Sequence, residues 1–216
     1  KINDNAPDPY KGLDRFAARK LILEHLEEGK FLEKIEKLVN KVPYGDRSNS
    51  IIEPYLTEQW FVDAKTLAIK AKEVVNNGKT KFFPENWSKT YFQWMDNIEP
   101  WCISRQLWWG HQIPAWYGPD GKIFVAENED ECKKQAKEFY SKDVELKRDE
   151  DVLDTWFSSG LWPFATLGWP EKTPEVEKFY PTSVLVTGFD IIFFWVARMI
   201  MMGTEFLKEE PFKNIY

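Results

Sequence analysis

The sequence has 216 residues and a formal net charge of −6, with 30% charged and 43% hydrophobic residues. A chain of this length and composition folds into one large domain or two small ones, which excludes a disordered chain. The acidic balance excludes a basic nucleic-acid tail, so any contact with RNA must be local.

Cysteine and tryptophan usage narrows the class of protein further. Cys102 and Cys132 form no CxxC pair, which fits a reducing compartment and provides no framework for a metal site. No stretch resembles a signal peptide or a transmembrane span, so we expect a cytoplasmic protein without a membrane partner. The 11 tryptophans are unusual, because a Trp-rich region indicates either a core with polar edges or a ligand pocket.

Taken in chain order, the sequence alternates helical and extended segments. Amphipathic or charged segments predict helices over residues 13–28, 63–76, 88–97 and 127–140. Gly29 is expected to end the first helix as its C′ residue. Runs of β-branched and aromatic residues predict strands within 51–62, broken at Pro54, and over 111–117, 122–125, 184–186 and 212–216. The turn between 117 and 122 predicts that the strands on either side pair as a hairpin.

The stretch from Ser183 to Asp190 is the most informative for function. Val184 to Val186 predicts a buried parallel strand, Gly188 allows a sharp turn close to a ligand, and a helix starts at Asp190. Ligands of open α/β sheets bind beyond the carboxyl ends of the strands, where this turn lies. Two roles are open for Asp190: contact with a ligand hydroxyl, or capping of the helix alone. The helix over 191–202 is nearly all apolar but too short to span a bilayer, so we expect it to be buried.

Three segments carry a family resemblance: WCISRQLWWGHQIP at 101–114, DVLDTWFSS at 151–159 and TGFDIIFFWVARM at 187–199. In order and spacing they resemble the valyl-tRNA synthetases, which are class I aminoacyl-tRNA synthetases; the isoleucyl and leucyl enzymes are less similar. The resemblance implies an α/β fold. It would be the second half of a class I Rossmann core with a parallel sheet, joined to an α+β remnant of the inserted editing domain.

The resemblance also implies a domain organisation. Residues 1–61 would be the C-terminal part of the editing domain, 62–100 the return segment, and 101–216 the second half of the catalytic domain, with a small insertion at about 115–150. The family's HIGH and KMSKS signatures do not occur in this sequence, so we expect a segment of a larger protein that is inactive alone. Some relatives bind zinc through cysteines in the small insertion; Cys132 is the single cysteine there, so no zinc is expected.

By resemblance, the complete enzyme would be a monomeric ligase. It would use ATP with Mg²⁺ to activate valine, transfer the valine to tRNA(Val), and hydrolyse mischarged threonine. The residues implied to bind ligands are Trp156, Ile191 and Trp195 around valine, Gly188 and Asp190 at the adenylate ribose, and Arg105 and Gln106 at the tRNA acceptor end. A structural role in the core is an equal alternative for Arg105 and Gln106. No catalytic residue is assigned, since the editing catalysts would precede Lys1.

Two hypotheses from other classes compete with the ligase. In one, the chain is a binding module whose Trp-rich face stacks on sugars or bases. In the other it is a structural α/β domain without a ligand, in which Trp156 and Trp195 are plain core and Asp190 only caps its helix. The direction of the Trp side chains distinguishes the ligase from the binding module. Trp side chains that line a closed pocket favour the synthetase, and Trp side chains that form an exposed platform favour the module.

Overall fold

The computed structural model describes residues 1–45, 48–52 and 56–216. The chain divides into two compact units, Lys1–Leu56 and Thr57–Tyr216. The predicted break at Pro54 lies outside the described residues. Within the described ranges, no helix has the length and apolar character needed to cross a membrane.

The first unit contains a 3-10 turn, Asp8–Tyr10, and the helix α1, Arg15–Glu28. The predicted role of Gly29 as the C′ residue is wrong. Its backbone stays right-handed, and the left-handed conformation falls on the next residue, Lys30, with a φ of 57°. The Lys30 N–H donates a hydrogen bond to the Glu27 carbonyl. The helix ends at Glu28 as predicted, and only the left-handed residue lies one position later than expected.

The second unit alternates helices with short strands. Its strands are β1 (Phe61–Val62), β2 (Lys81–Phe82), β3 (Trp101–Cys102), β4 (Ser104–Arg105), β5 (Ala115–Tyr117), β6 (Ile123–Val125), β7 (Lys147–Arg148), β8 (Val152–Leu153), β9 (Thr182–Leu185) and β10 (Phe212–Ile215). Its helices are α2 (Ala64–Asn76), α3 (Asn86–Asp96), α4 (Glu129–Tyr140), α5 (Thr155–Ser159), α6 (Trp162–Ala165), α7 (Pro174–Phe179) and α8 (Ala197–Phe206). Three of the four helices predicted here are confirmed as α2, α3 and α4, and the hairpin is confirmed as β5 and β6.

A parallel sheet of three strands, in the order β2-β10-β9, organises this unit. The chain leaves β9, runs through α8 and returns in β10, which forms a βαβ unit. The apolar faces of α2, α3 and α8 pack around this sheet, and Tyr91, Met199 and Phe212 are fully buried among them. The predicted α/β class with a parallel sheet is therefore confirmed.

The prediction that residues 184–186 form a strand buried on both faces is wrong, because the strand is exposed on one face. β9 is parallel to β10, as expected, but it lies at the edge of the described sheet. Val184 is 46% exposed and Val186 is 76% exposed, while Leu185 points into the core. A short run of β-branched residues predicts a strand, but it does not show on how many sides the strand is covered.

The start of the following helix also differs from the prediction. Phe189–Ile191 forms a 3-10 turn, Ile192–Val196 a π-helix, and regular α-helix begins only at Ala197. Gly188 occupies the N-cap position and no side chain caps this end, so Asp190 lies inside the first turn and does not cap it. The interpretation of Asp190 as a simple N-cap is therefore wrong. Wide π-helical turns are rare and occur frequently at functional sites.

Antiparallel pairs make up the rest of the second unit. β1 pairs with β3 and β4 with β8, which fastens the segment around residue 104 to the segment around residue 153. β5 covers only the end of the predicted 111–117 strand, and it pairs with both β6 and β7. Together with α4, this small sheet buries Trp116, Phe124 and Cys132 in a separate core. Among the described residues no cluster of His, Cys, Asp or Glu has the geometry of a metal site.

Candidate functional site

The two tryptophans predicted to wall a pocket lie on elements that contact each other. Trp156 is half-buried in α5, and its ring stacks on Phe194 with a centroid distance of 6.0 Å. Trp195 is half-buried in the π-helix, and its indole N–H donates a 3.0 Å hydrogen bond to the carbonyl of Ser159 at the end of α5. Both rings therefore lie between α5 and the π-helix, and the indole N–H of Trp195 has a hydrogen-bond acceptor there.

The other predicted site residues follow β9. Ile191 is half-buried at the end of the 3-10 turn, whereas Gly188 and Asp190 are exposed. A Cβ on Gly188 would collide with Oδ1 of Asp190, so the Asp190 carboxylate lies folded back against this glycine. Within the described part of the chain, no hydrogen bond or ion pair engages the Asp190 carboxylate. Its oxygens are open to a donor from outside the chain.

Two clefts flank this region. One, of about 220 Å³, lies at the carboxyl ends of the parallel strands and is lined by Trp87, Gly188, Phe189 and Tyr216 among others. Its mouth carries the stacked rings of Trp87 and Phe189, whose centroids are 5.1 Å apart. The other, of about 450 Å³, is lined by Trp101 with arginines 105 and 198. Neither cleft is lined by the three residues predicted to surround valine.

Arg105 is braced from several sides. Its guanidinium donates to the Asp154 carboxylate and, at 3.0 and 2.8 Å, to the backbone carbonyls of Cys102 and Ser104. Asp154 is only 7% exposed, and its other oxygen accepts the Trp156 N–H at 2.9 Å, which starts α5. A charge-assisted pair of this kind fixes both partners. The described contacts agree with the bracing alternative for Arg105.

Gln106 belongs to a second polar network. Its amide donates to Asp151 at 2.6 Å and to the side-chain oxygen of Gln59 at 3.0 Å. The same oxygen of Gln59 accepts a 2.7 Å bond from the hydroxyl of Ser104, a buried residue in β4. Gln106 is nevertheless exposed, so one face of its amide is accessible from solvent.

Asp154 and Arg198 are site residues that the sequence analysis did not single out. Arg198, in α8, lies 3.7 Å from the Asp154 carboxylate and stacks 3.6 Å from the centroid of the Trp101 ring. Burial lowers the pKa of Arg198 to about 10, which leaves the guanidinium charged at neutral pH. The signal in the sequence was a lone arginine within an apolar helix, because a buried charge requires a partner.

Comparison with known proteins agrees with this architecture. Residues 11–216 match the family described as tRNA synthetases class I (I, L, M and V). The chain is 76% identical over its whole length to Valine--tRNA ligase of Pelagibacter ubique and 62% identical to that of Caulobacter vibrioides, and it spans about a quarter of the length of these relatives.

Among solved structures, methionyl-tRNA synthetase of Mycobacterium tuberculosis, bound by methionyl-adenylate, matches with a TM-score of 0.51 at 16% identity. The match covers 83% of this chain and 30% of that one. At this identity the likeness supports the fold alone. With the family match across most of its length, the chain belongs to the class I tRNA synthetases.

Proposed function

We propose that this chain is part of a valine–tRNA ligase, which activates valine with ATP and transfers it to tRNA(Val). The observation that carries the proposal is the 76% identity, over the whole chain, to a relative named Valine--tRNA ligase. In the first step the valine carboxylate attacks the α-phosphorus of ATP and pyrophosphate leaves, with Mg²⁺ accompanying ATP. No covalent enzyme intermediate is needed, so catalysis consists of positioning and charge stabilisation.

Within this proposal, residues 1–61 are the end of an editing domain, 62–100 return the chain to the core, and 101–216 complete the Rossmann half with its insertion. The enzyme is a cytoplasmic monomer, and zinc is not part of this segment. The phosphate-binding signatures HIGH and KMSKS would come from elsewhere in the enzyme. This segment would supply the amino-acid and ribose side of the site.

Each predicted site residue has a physical rationale. A branched aliphatic group needs a rigid, dry wall, which Trp156 and Trp195 provide with few rotamers to freeze, together with Ile191. The carboxylate of Asp190 has no partner in the described chain. Two residues before it, Gly188 lines a cleft at the carboxyl ends of the strands. A free carboxylate in this place suits the ribose hydroxyls of an adenylate. Of the two candidates for the tRNA acceptor end, the exposed Gln106 is better placed than the braced Arg105.

A valine pocket of this kind cannot reject threonine, which differs from valine by a hydroxyl in place of a methyl group. Apolar pockets discriminate against an added hydroxyl by only about 10²-fold, a limit for which valyl-tRNA synthetases are themselves the usual example. Hydrolytic editing of mischarged threonine is therefore part of the proposal, although no editing catalyst is assigned to this chain.

The test is a chimera in which this chain replaces the matching quarter of the Pelagibacter ubique ligase. We expect amino-acid-dependent pyrophosphate exchange with valine, weaker exchange with threonine and little with isoleucine. Trp156→Ala should raise the KM for valine by about tenfold or more, since it removes a large apolar wall. Val125→Ala, a change at a half-exposed position in the distant hairpin, is the control and should leave the KM unchanged. A folded chimera without valine-dependent exchange would contradict the proposal.

The exposure of two tryptophans favours a second function, that of a module that binds bases or sugars. Trp108 and Trp109, in the first resemblance segment, are essentially fully exposed, as expected for an aromatic platform. Such rings stack on bases or sugars at roughly 1–3 kcal/mol per base. Titration of the chain with single-stranded oligonucleotides, followed by Trp fluorescence, tests this module. Quenching that is abolished in Trp108→Ala and Trp109→Ala would support it.

A further inference from the structure

The short helix α5 is attached to α8 at its start and to the π-helix at its end. At its start, the Asp154 carboxylate accepts the N–H of Trp156 at 2.9 Å and lies 3.7 Å from the guanidinium of Arg198. At its end, the Ser159 carbonyl accepts the indole N–H of Trp195 at 3.0 Å. Trp195 and Arg198 are three residues apart, with Trp195 near the end of the π-helix and Arg198 at the start of α8.

The packing between the two attachments leaves little freedom. A Cβ on Gly160, directly after α5, would lie 2.6 Å from the side-chain sulfur of Met202 in α8, so the Met202 side chain fills the space beside this glycine. The ring of Trp156 rests on Phe194, whose neighbour in the chain is Trp195. A shift of α5 against α8 would therefore change the separation of the Trp156 and Trp195 rings.

Asp154 is also connected to the first resemblance segment. Its backbone N–H donates to the Ile103 carbonyl at 2.7 Å, and its carboxylate receives the Arg105 guanidinium. Two positive groups thus face one buried carboxylate, and Arg198 is further held by the face of Trp101. The Asp154 carboxylate therefore contacts residues of β4 and α8 from the start of α5.

We propose that Asp154 is a positioning residue: with Arg198 it clamps α5 against α8, and so sets the separation of the Trp156 and Trp195 rings that limits the size of the bound amino acid. This inference rests on the proposed function, because it assigns a role within the valine pocket. Neither Asp154 nor Arg198 touches the amino acid. They act through the two tryptophans, and we refer to the pair together with the Ser159–Trp195 bond as the α5 clamp.

The α5 clamp makes a prediction that a merely structural role would not. A residue needed only for folding lowers the amount of active enzyme, which reduces kcat and leaves the KM and the amino-acid preference unchanged. A clamp that sets the pocket width changes the fit of the side chain. Its loss should raise the KM for valine and weaken the rejection of isoleucine, with a smaller effect on kcat.

The experiment measures pyrophosphate exchange by the chimera with valine and with isoleucine, for Asp154→Asn, Arg198→Met and the double variant. We expect each single change to raise the KM for valine and to lower the valine-over-isoleucine preference, each by about tenfold, the scale of one methylene in an apolar pocket. The double variant should be little worse than either single one, since both break the same attachment. Arg198→Lys keeps the charge and should recover part of the preference.

The matched control is the exposed pair of Lys70 and Glu205, which joins α2 to the same helix α8 at 2.8 Å. Glu205→Gln removes an ion pair from α8 without touching α5, so the preference should not move. An unchanged preference in folded Asp154→Asn and Arg198→Met, with the parent active, would overturn the clamp while leaving the proposed function intact. Failure of both variants to fold would also overturn it, by showing a purely structural role. An inactive parent would instead count against the proposed function, and with it the clamp.

Discussion

Asp149 gives the sharpest stability prediction, because one buried carboxylate fastens three parts of the second unit. Its Oδ2 accepts the indole N–H of Trp60 at 2.8 Å and the hydroxyl of Tyr117 at 2.6 Å, while Oδ1 accepts the N–H of Asp151 at 2.9 Å. Burial by itself raises the pKa of Asp149, but these three hydrogen bonds outweigh it and hold the pKa below its usual value. Burial, together with the hydrogen bond from its hydroxyl to Asp149, raises the pKa of Tyr117 to about 12.

The perturbation is Asp149→Asn, which keeps the shape but replaces one acceptor oxygen by an NH₂ group. In either orientation of the amide, at least one of the three donors loses its acceptor and the others lose the help of a negative charge. Hydrogen bonds to charged groups contribute about 1.5–3 kcal/mol each, so we expect a loss of ~3 kcal/mol. For a unit of this size that lowers the melting temperature by roughly 6–12 °C.

The pH dependence identifies the carboxylate as the cause. Because the folded pKa of Asp149 lies below the unfolded value, taken as the ordinary 3.8, its contribution is full above that pH and is lost as the pH falls through the folded pKa. The difference in unfolding free energy between wild type and Asp149→Asn should be largest at pH 6 and should shrink below pH 3.8. Urea unfolding followed by circular dichroism and Trp fluorescence measures both.

The control for this experiment is Asp143→Asn in the same unit. Its carboxylate is 84% exposed and pairs with Lys137 at 3.0 Å, so its loss should cost less than about 0.5 kcal/mol. A difference between wild type and Asp149→Asn that stays constant from pH 6 to pH 3 would refute the reasoning, and so would a loss no greater than that of the control.

Two further predictions concern the core around the parallel sheet. Tyr91→Phe removes a 2.9 Å hydrogen bond from a fully buried hydroxyl to the Ala71 carbonyl and should cost about 1 kcal/mol in urea unfolding; no change would contradict the importance of this bond. Gly203→Ala would place a Cβ 2.5 Å from the hydroxyl of Tyr180 and 3.1 Å from Pro211, so overpacking should lower stability by about 1–3 kcal/mol. An unchanged midpoint for that variant would mean that α8 and the start of β10 are not so closely packed.

Elements with local signals were predictable from the sequence. The hairpin between β5 and β6 follows from its turn residues, where Gly121 has a φ of 82°, and α4 begins after Asn128, whose side chain accepts the N–H of Glu131. Helix α2 likewise begins after Asp63, whose carboxylate caps it. In each case the physical cause lies within a few residues, so a single sequence contains it.

Features that depend on distant residues were not predictable. The exposure of Val184 is set by which strands lie beside β9, and three consecutive apolar residues do not contain that information. The role of Asp154 depends on Arg105 and Arg198, which are far from it in sequence and meet it only in the folded unit. The π-helix before α8 lies in an apolar segment, IFFWV, that contains no Gly, Pro or polar residue to indicate a change of helix type.

The most direct test of the central claim is calorimetric binding of a non-hydrolysable valyl-adenylate analogue to this chain, with the isoleucyl and threonyl analogues alongside. We expect weak binding that prefers the valyl and threonyl analogues over the isoleucyl one, is lost in Trp156→Ala and is weakened in Asp190→Ala. Equal binding of all three analogues by a folded chain, or binding that survives both substitutions, would contradict the claim that these residues form the valine and ribose side of a synthetase site.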